Sequence, residues 1–454
     1  MKTTTSHIML ALVSAIVAVG VARATAGAEP RGETALPRAV VDADYRPVEA
    51  AAARLGQLLF YDPILSGNRN ISCATCHHPR FGTSDGMALS LGEGGIGLGP
   101  DRVVDPDNVP EQRVPRNAQA LFNLGAREFT VLFHDGRIEE DPSRPTGLRT
   151  PLGADMEAGF DSVLSAQTMF PVLSPDEMAG HYSESDVSRA VRLGRLAGAG
   201  GAWDIIAGRV AAIPRYAEMF RAAYPEIAAG RPIAFTDISN AVAAFVAFEW
   251  RSDDAPFDAV LRGERVATGA AARGQGLFYG AAGCAACHRG PFLTDHAFHA
   301  MGAPQIGPGK GARFERHRRD EGRMEVTGHP DDAYKFRTPS LRNVARTGPW
   351  GHAGAHDDLA AFLADHATPA DALSHYDRTA ARLPELPGAS DWDALDDAAE
   401  VSLIRAAAVE GGVPLDGTDI AALIAFLETL SDPVALGGRL GIPAEVPSGL
   451  KVER

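Results

Sequence analysis

Two short runs constrain this chain more than any other feature: Cys73-Ala74-Thr75-Cys76-His77 and Cys284-Ala285-Ala286-Cys287-His288. Two thiols at this spacing can add to the two vinyl groups of a haem, and the histidine that follows places an imidazole under the iron. A redox dithiol is the alternative for a single copy. Two copies that use all four cysteines leave no thiol over, and they point to two covalent c-type haems. Such a chain must wrap apolar side chains around two flat cofactors, one in each half.

The halves also repeat one another. Gly56-Gln57-Leu58-Leu59-Phe60-Tyr61 precedes the first motif as Gly274-Gln275-Gly276-Leu277-Phe278-Tyr279 precedes the second. Phe81 and Thr83 stand at the same offsets from His77 as Phe292 and Thr294 do from His288, so one supersecondary unit is used twice. At 454 residues the chain exceeds what one core usually supports.

Val48 to Tyr61 carries Leu55, Leu58 and Leu59 at helical intervals in an alanine-rich run, which predicts a helix ahead of the first motif. Near the end, Asp416-Gly417-Thr418-Asp419 offers capping side chains for a helix from Ile420 to Leu430 with an apolar face. Ile238 to Phe248 also reads as helical, whereas Gly92 to Pro110 and Ala300 to Gly311 lack periodicity and read as loops over haem edges. Strand signals are weak. The predicted fold is all-α: two cytochrome c-like haem domains with long irregular loops, over residues 29–257 and 258–454.

Residues 1–28 read as a secretory signal peptide. Lys2 gives a short basic start, Ile8 to Ala22 is apolar, and Ala24-Thr25-Ala26 and Ala26-Gly27-Ala28 offer small-residue cleavage sites. The apolar run is short for a bilayer span, and no membrane span is expected after cleavage. The expected location is periplasmic. The formal charge is -15, becoming about -17 once Lys2 and Arg23 leave with the leader. That charge argues against nucleic acid as a partner and suits an acidic, solvated surface that meets other proteins.

From Arg54 to about Tyr376, and again in the closing helix, the chain resembles the bacterial di-haem cytochrome c peroxidase and MauG family. The segments that carry the resemblance are Leu58-Leu59-Phe60-Tyr61-Asp62-Pro63 with Leu65-Ser66, Pro115-Arg116-Asn117-Ala118, Phe133-His134-Asp135-Gly136-Arg137, and Phe336-Arg337-Thr338-Pro339-Ser340-Leu341-Arg342-Asn343. In members that need reductive activation, a histidine sixteen residues beyond the first motif caps the N-terminal haem. Counting from His77, this chain has Glu93 there. The resemblance therefore implies an N-terminal haem open to hydrogen peroxide, unless His78 or His134 folds over it.

The family lines that open face with a glutamine, a proline four residues on and a glutamate six further, a spacing reproduced by Gln167, Pro171 and Glu177. The implied role of Glu177 is to carry a proton between the two peroxide oxygens. For the C-terminal haem, the family's distal ligand lies seventeen residues after the proline of a Thr-x-Pro pair. From Thr347-Gly348-Pro349 the count ends on His366, with His352 and His356 as weaker contenders. A second imidazole there gives a six-coordinate iron suited to relaying oxidising equivalents. Asn117 with the carbonyls of Thr347 and Pro349 matches the family's calcium site, although a structural asparagine and a turn proline are the bland alternative. Relatives place a tryptophan between the haems where this chain has His134; Trp203, Trp250, Trp350 and Trp392 are the candidates to replace it.

Within the family the chain looks most similar to the methanobactin-associated, MbnH-like enzymes, through Ser174-Pro175-Asp176-Glu177-Met178, the run from Thr294 through Gly311, and Gly348-Pro349-Trp350-Gly351-His352. Those enzymes use peroxide to oxidise a partner's tryptophan to kynurenine through a high-valent state shared by both haems. The resemblance implies the same activity here, on an exported protein such as an MbnP-like copper-binding protein. The alternatives are a peroxidase fed by a small cytochrome or cupredoxin, and a pure electron carrier with both irons six-coordinate.

Overall fold

The computed structural model describes residues 34–181, 183–309, 318–409 and 412–454. The predicted leader at 1–28 and the end of the Ala300 to Gly311 loop lie outside the described residues.

The fold is all-α, and each half is built on one crossed pair of helices. In the first half Ala50–Phe60 packs on Phe235–Glu249; in the second Gly269–Tyr279 packs on Gly417–Glu428. Ala50–Phe60 buries Leu55, Leu58, Leu59 and Phe60, then stops ahead of Pro63, whose ring cannot continue a helix. The closing helix starts where the sequence places its cap: the Asp416 carboxylate accepts the N–H groups of Thr418 and Asp419, both at 2.8 Å.

The sequence repeat has a physical reason. Gly56 and Gly274, the first residues of the repeated hexapeptides, lie against the Ala241 and Ala422 carbonyl oxygens, which a methyl group at either position would overlap. Missing side chains let the helices approach closely. The aromatic residues that follow then pack alike. Phe60 meets Phe245 at 5.3 Å and 53° between planes, and Phe278 meets Phe426 at 5.1 Å and 54°. Tyr61 and Tyr279 each lie 6.1 Å from the same phenylalanines. Each such burial stabilises by roughly 1.5–3 kcal/mol.

The chain's last stretch, which the sequence reading places with the second unit, packs on the first. Ala435 and Val446 are buried in the first core, and Leu440, Ile442 and Leu450 pack against it. Gln57 donates to the Leu440 and Gly441 carbonyls at 3.0 and 2.7 Å, and the buried Asp62 accepts from Ser448 Oγ at 2.6 Å. Phe292 of the second half likewise enters the first core, edge-on to Tyr45 and Phe129 at 5.7 Å each.

Strands are few and short. Gly95–Ile96 pairs with Val103–Val104 inside the predicted loop, Val131–Leu132, Ile138–Glu140 and Leu148–Arg149 form a ladder, and Phe298–His299 pairs with Phe336–Arg337, all antiparallel. Among the described residues no helix is long and apolar enough to cross a membrane.

Candidate active site

Both cysteine motifs are short helical turns whose histidines are oriented in the same manner. Cys73–Cys76 is one turn closed by His77 N–H on the Cys73 carbonyl at 3.0 Å, and Cys284–Ala286 is followed by the same bond from His288 to Cys284 at 3.0 Å. His77 Nδ1 lies 3.0 Å from the Thr83 carbonyl, and His288 Nδ1 lies 3.2 Å from that of Leu293. A ring nitrogen bonded to a carbonyl carries the proton, so Nε2 of each histidine is the nitrogen left for a metal. Burial pushes both imidazoles below their ordinary pKa and so keeps them neutral, the ligating form. None of the four cysteines is joined in a disulfide, and burial pushes the Cys73 and Cys76 thiols up to about 12. This donor set fits two thioether-linked haems.

The pockets differ on the opposite side. The helix Leu359–Ala367 brings His366 to face His288, with ring centres 6.3 Å apart and planes inclined by 49°. A metal–nitrogen bond of about 2.0–2.1 Å plus about 1.1 Å from nitrogen to ring centre, doubled, gives about 6.3 Å. Burial pushes His366 down to about 4, and Phe362 stacks on it at 5.0 Å. The contenders are otherwise engaged: His352 Nε2 meets Asp320 and His356 Nε2 meets Asp365, each at 2.8 Å.

Opposite His77, no ring among the described residues pairs in that way. His78 Nδ1 accepts the Arg80 N–H at 3.3 Å while its backbone bridges Ser84. His134 points into the joint between the halves. Glu93 is buried under the amides of Asn68, Asn70 and Asn108.

Gln167, Pro171 and Glu177 lie on consecutive turns of one segment. Val163–Gln167 is a helical turn capped by Ser162, Pro171–Leu173 follows, and Pro175–Ala179 is a wide turn closed on the Ser174 carbonyl. Gln167 Oε1 is buried with no hydrogen-bond partner. Burial raises the Glu177 pKa, with Ser174 and Arg137 opposing. Glu177 in turn contributes to raising the Cys76 thiol, which puts its carboxylate in electrostatic reach of the first attachment turn.

Asn117 and Pro349 come from different halves and meet across Gly354, where a methyl group would sit 2.7 Å from Asn117 Nδ2 and 3.1 Å from Pro349 Cγ. Asn117 Nδ2 donates to the Met87 and Ala88 carbonyls at 2.8 and 3.2 Å, leaving its oxygen as the atom suited to a hard cation. Thr347 borders the loop of the first motif at Gly82.

Two clusters escaped the sequence reading because their members are far apart in the chain. At the joint, Asp320 Oδ2 lies 2.6 Å from Arg116 Nη2, 2.8 Å from His352 Nε2 and 3.3 Å from His134 Nε2, while His352 stacks on Phe336 at 3.6 Å. Burial pushes His134 down to about 4. Trp203 and Trp250 lie inside the first core, and Trp350 Nε1 donates to the Val344 carbonyl at 2.8 Å. The second cluster is the ring of asparagines around Glu93. Only a count of carboxamides near the motif could have hinted at it.

Comparison with known proteins agrees with this geometry. The family described as di-haem cytochrome c peroxidase matches residues 50–266. The methylamine utilization protein MauG of Methylorubrum extorquens is 32% identical over 357 residues, 76% of this chain and 78% of that protein. The cytochrome c551 peroxidase of Pseudomonas aeruginosa is 28% identical over 319 residues, 70% of this chain and 72% of that one. Among solved structures, a MauG-like protein associated with microbial copper homeostasis superimposes with a TM-score of 0.53 at 27% identity, covering 89% of this chain and 95% of that chain. Two attachment turns, two oriented histidines and this similarity along most of the chain lead to one conclusion: the protein belongs to the di-haem cytochrome c peroxidase and MauG family of peroxide-dependent, two-haem oxidoreductases.

Proposed function

We infer that this protein is an exported, periplasmic enzyme that uses hydrogen peroxide to oxidise a partner protein, converting tryptophan to kynurenine. The observation that carries the reading is the contrast between the two pockets: His288 has His366 across from it, whereas His77 has the Gln167, Pro171 and Glu177 segment nearby instead. The haems, held by Cys73, Cys76 and His77 and by Cys284, Cys287, His288 and His366, supply the redox chemistry.

The protein's own groups handle the protons. Gln167 Oε1 offers an unfilled acceptor for a peroxide hydroxyl. Glu177, buried and more basic than an ordinary glutamate, takes a proton from one peroxide oxygen and returns it to the other, so that water leaves when the O–O bond breaks. Each peroxide accepts two electrons and two protons and ends as two waters. Two peroxides therefore remove the four electrons needed to turn tryptophan and two waters into formylkynurenine. Hydrolysis to kynurenine then releases formate.

The solved relative named for copper homeostasis supports an MbnP-like copper-binding protein as the partner. Calcium held by Asn117 and the carbonyls of Thr347 and Pro349 belongs to the same reading.

The test adds stoichiometric peroxide to the fully ferric protein and follows both haem spectra, then incubates it with an exported partner protein. The expected result is a response of both haems without prior reduction, and a partner tryptophan that has exchanged one ring carbon for one oxygen by mass spectrometry. A response only after one haem is reduced, with fast turnover of a reduced cytochrome or cupredoxin and an unmodified partner, sinks this reading in favour of an electron-fed peroxidase.

A further inference from the structure

Glu93 is fully buried, and neutral amides surround its carboxylate. Asn68 Nδ2 lies 2.9 Å and Asn70 Nδ2 2.6 Å from Oε1, and Asn108 Nδ2 reaches both oxygens, at 3.0 and 2.9 Å. Among the described residues the nearest titratable base is His181, whose Nε2 lies 3.9 Å away. A buried carboxylate is costly unless its lone pairs are filled, and here three amides fill them.

The amides come from two stretches of chain. Asn68 and Asn70 lie just ahead of the turn that bears Cys73 and Cys76, whereas Asn108 is in the loop that follows Glu93. A third stretch is tied in through the backbone: the Glu93 N–H donates to the Asp176 carbonyl at 3.0 Å, one residue before Glu177. These stretches touch nearby as well. Gly67 N–H donates to the Met178 carbonyl at 2.7 Å, Asn68 Nδ2 also bonds Glu184, and a side chain at Gly92 would overlap the Asp176 carbonyl oxygen.

We propose that Glu93 is a positioning residue, whose buried carboxylate clamps the Glu177 segment to the first haem-attachment turn. The inference rests on the reading of Glu177 as the proton carrier. Proton transfer needs hydrogen-bond reach, about 2.6–3.2 Å, and a misplacement of about 1 Å costs on the order of 100-fold in rate. The three donors to the carboxylate are neutral amides, which fill its lone pairs without an arginine or lysine partner at that carboxylate.

The experiment mixes the ferric two-haem protein with peroxide in a stopped-flow spectrometer, with cyanide binding as a separate measure of the open face. Glu93→Gln removes one acceptor and turns donors toward donors. It is expected to keep both haems and wild-type cyanide affinity, while the peroxide-driven change at saturating peroxide slows at least ~10-fold. The pair Glu93→Gln with Asn108→Asp restores complementarity: the introduced carboxamide would accept from Asn68 and Asn70 through its oxygen and donate through its nitrogen to the introduced carboxylate. Most of the lost rate is expected to return. Asn70→Ala, which deletes the shortest contact and leaves the charge in place, is expected to slow the reaction too, and it stands in if Glu93→Gln loses haem.

A wild-type rate in Glu93→Gln or Asn70→Ala, or a double variant no faster than the single one, overturns the proposal when Glu177→Gln is slow. If ferric protein binds no cyanide, or Glu177→Gln reacts as fast as wild type, the reading of the first pocket fails and takes the clamp with it.

Discussion

His288 and His366 face each other across 6.3 Å, the span two imidazoles take when one metal atom joins them. Replacing His366 with Ala is expected to convert the second haem from a low-spin to a high-spin spectrum and leave the first unchanged. His366→Met should keep six ligands and raise the reduction potential. A low-spin spectrum in the alanine variant would show that another residue closes that face.

Glu177 is pushed above the ordinary glutamate range by burial, with Ser174 and Arg137 pulling the other way. A base must be ionised to accept a proton, so the peroxide reaction should slow as pH falls through that raised pKa. The acidic limb of the rate profile is expected at a higher pH than an ordinary glutamate would give. Glu177→Gln should be slower by roughly 10²–10⁴-fold and lose the limb. A variant that keeps the limb would assign it elsewhere.

Gly56 and Gly274 each press on a carbonyl of the facing helix. Gly56→Ala and Gly274→Ala should each destabilise by about 1–3 kcal/mol or more through overpacking, read as a lower denaturant midpoint of the haem-loaded protein. Gly208→Ala is the control, since nothing lies near that helical position. There the smaller entropy of the unfolded chain should give neutral or slightly raised stability, by about 0.4–1 kcal/mol.

Arg342 and Asp258 form an ion pair at 2.6 Å with neither side chain exposed, and the same guanidinium donates to the Pro291 carbonyl at 3.1 and 2.6 Å. Removing one partner strands a buried charge. Arg342→Ala should therefore cost about 3–5 kcal/mol and loosen the loop that follows His288. Equilibrium unfolding measures the first effect and amide exchange of residues 289–294 the second.

One calcium per chain is expected from elemental analysis of protein dialysed against trace calcium, and little in Asn117→Ala. Equal and negligible calcium in both proteins would leave Asn117 as a structural residue that holds the Met87 and Ala88 carbonyls.

The sequence alone determined what is local. Two attachment motifs named the cofactor because thiol spacing and the following imidazole are set within five residues. The repeated hexapeptide and the apolar periodicity gave the helices Ala50–Phe60, Phe235–Glu249 and Gly417–Glu428 to within a few residues, since helical phase is a property of neighbouring side chains. Tertiary structure decided what depends on distant residues meeting. The return of Val446 to the first core, the convergence of Arg116, His134 and His352 on Asp320, and the asparagines around Glu93 join positions from tens to hundreds apart. Burial and hydrogen-bond complementarity act through space, so no periodicity along the chain records them.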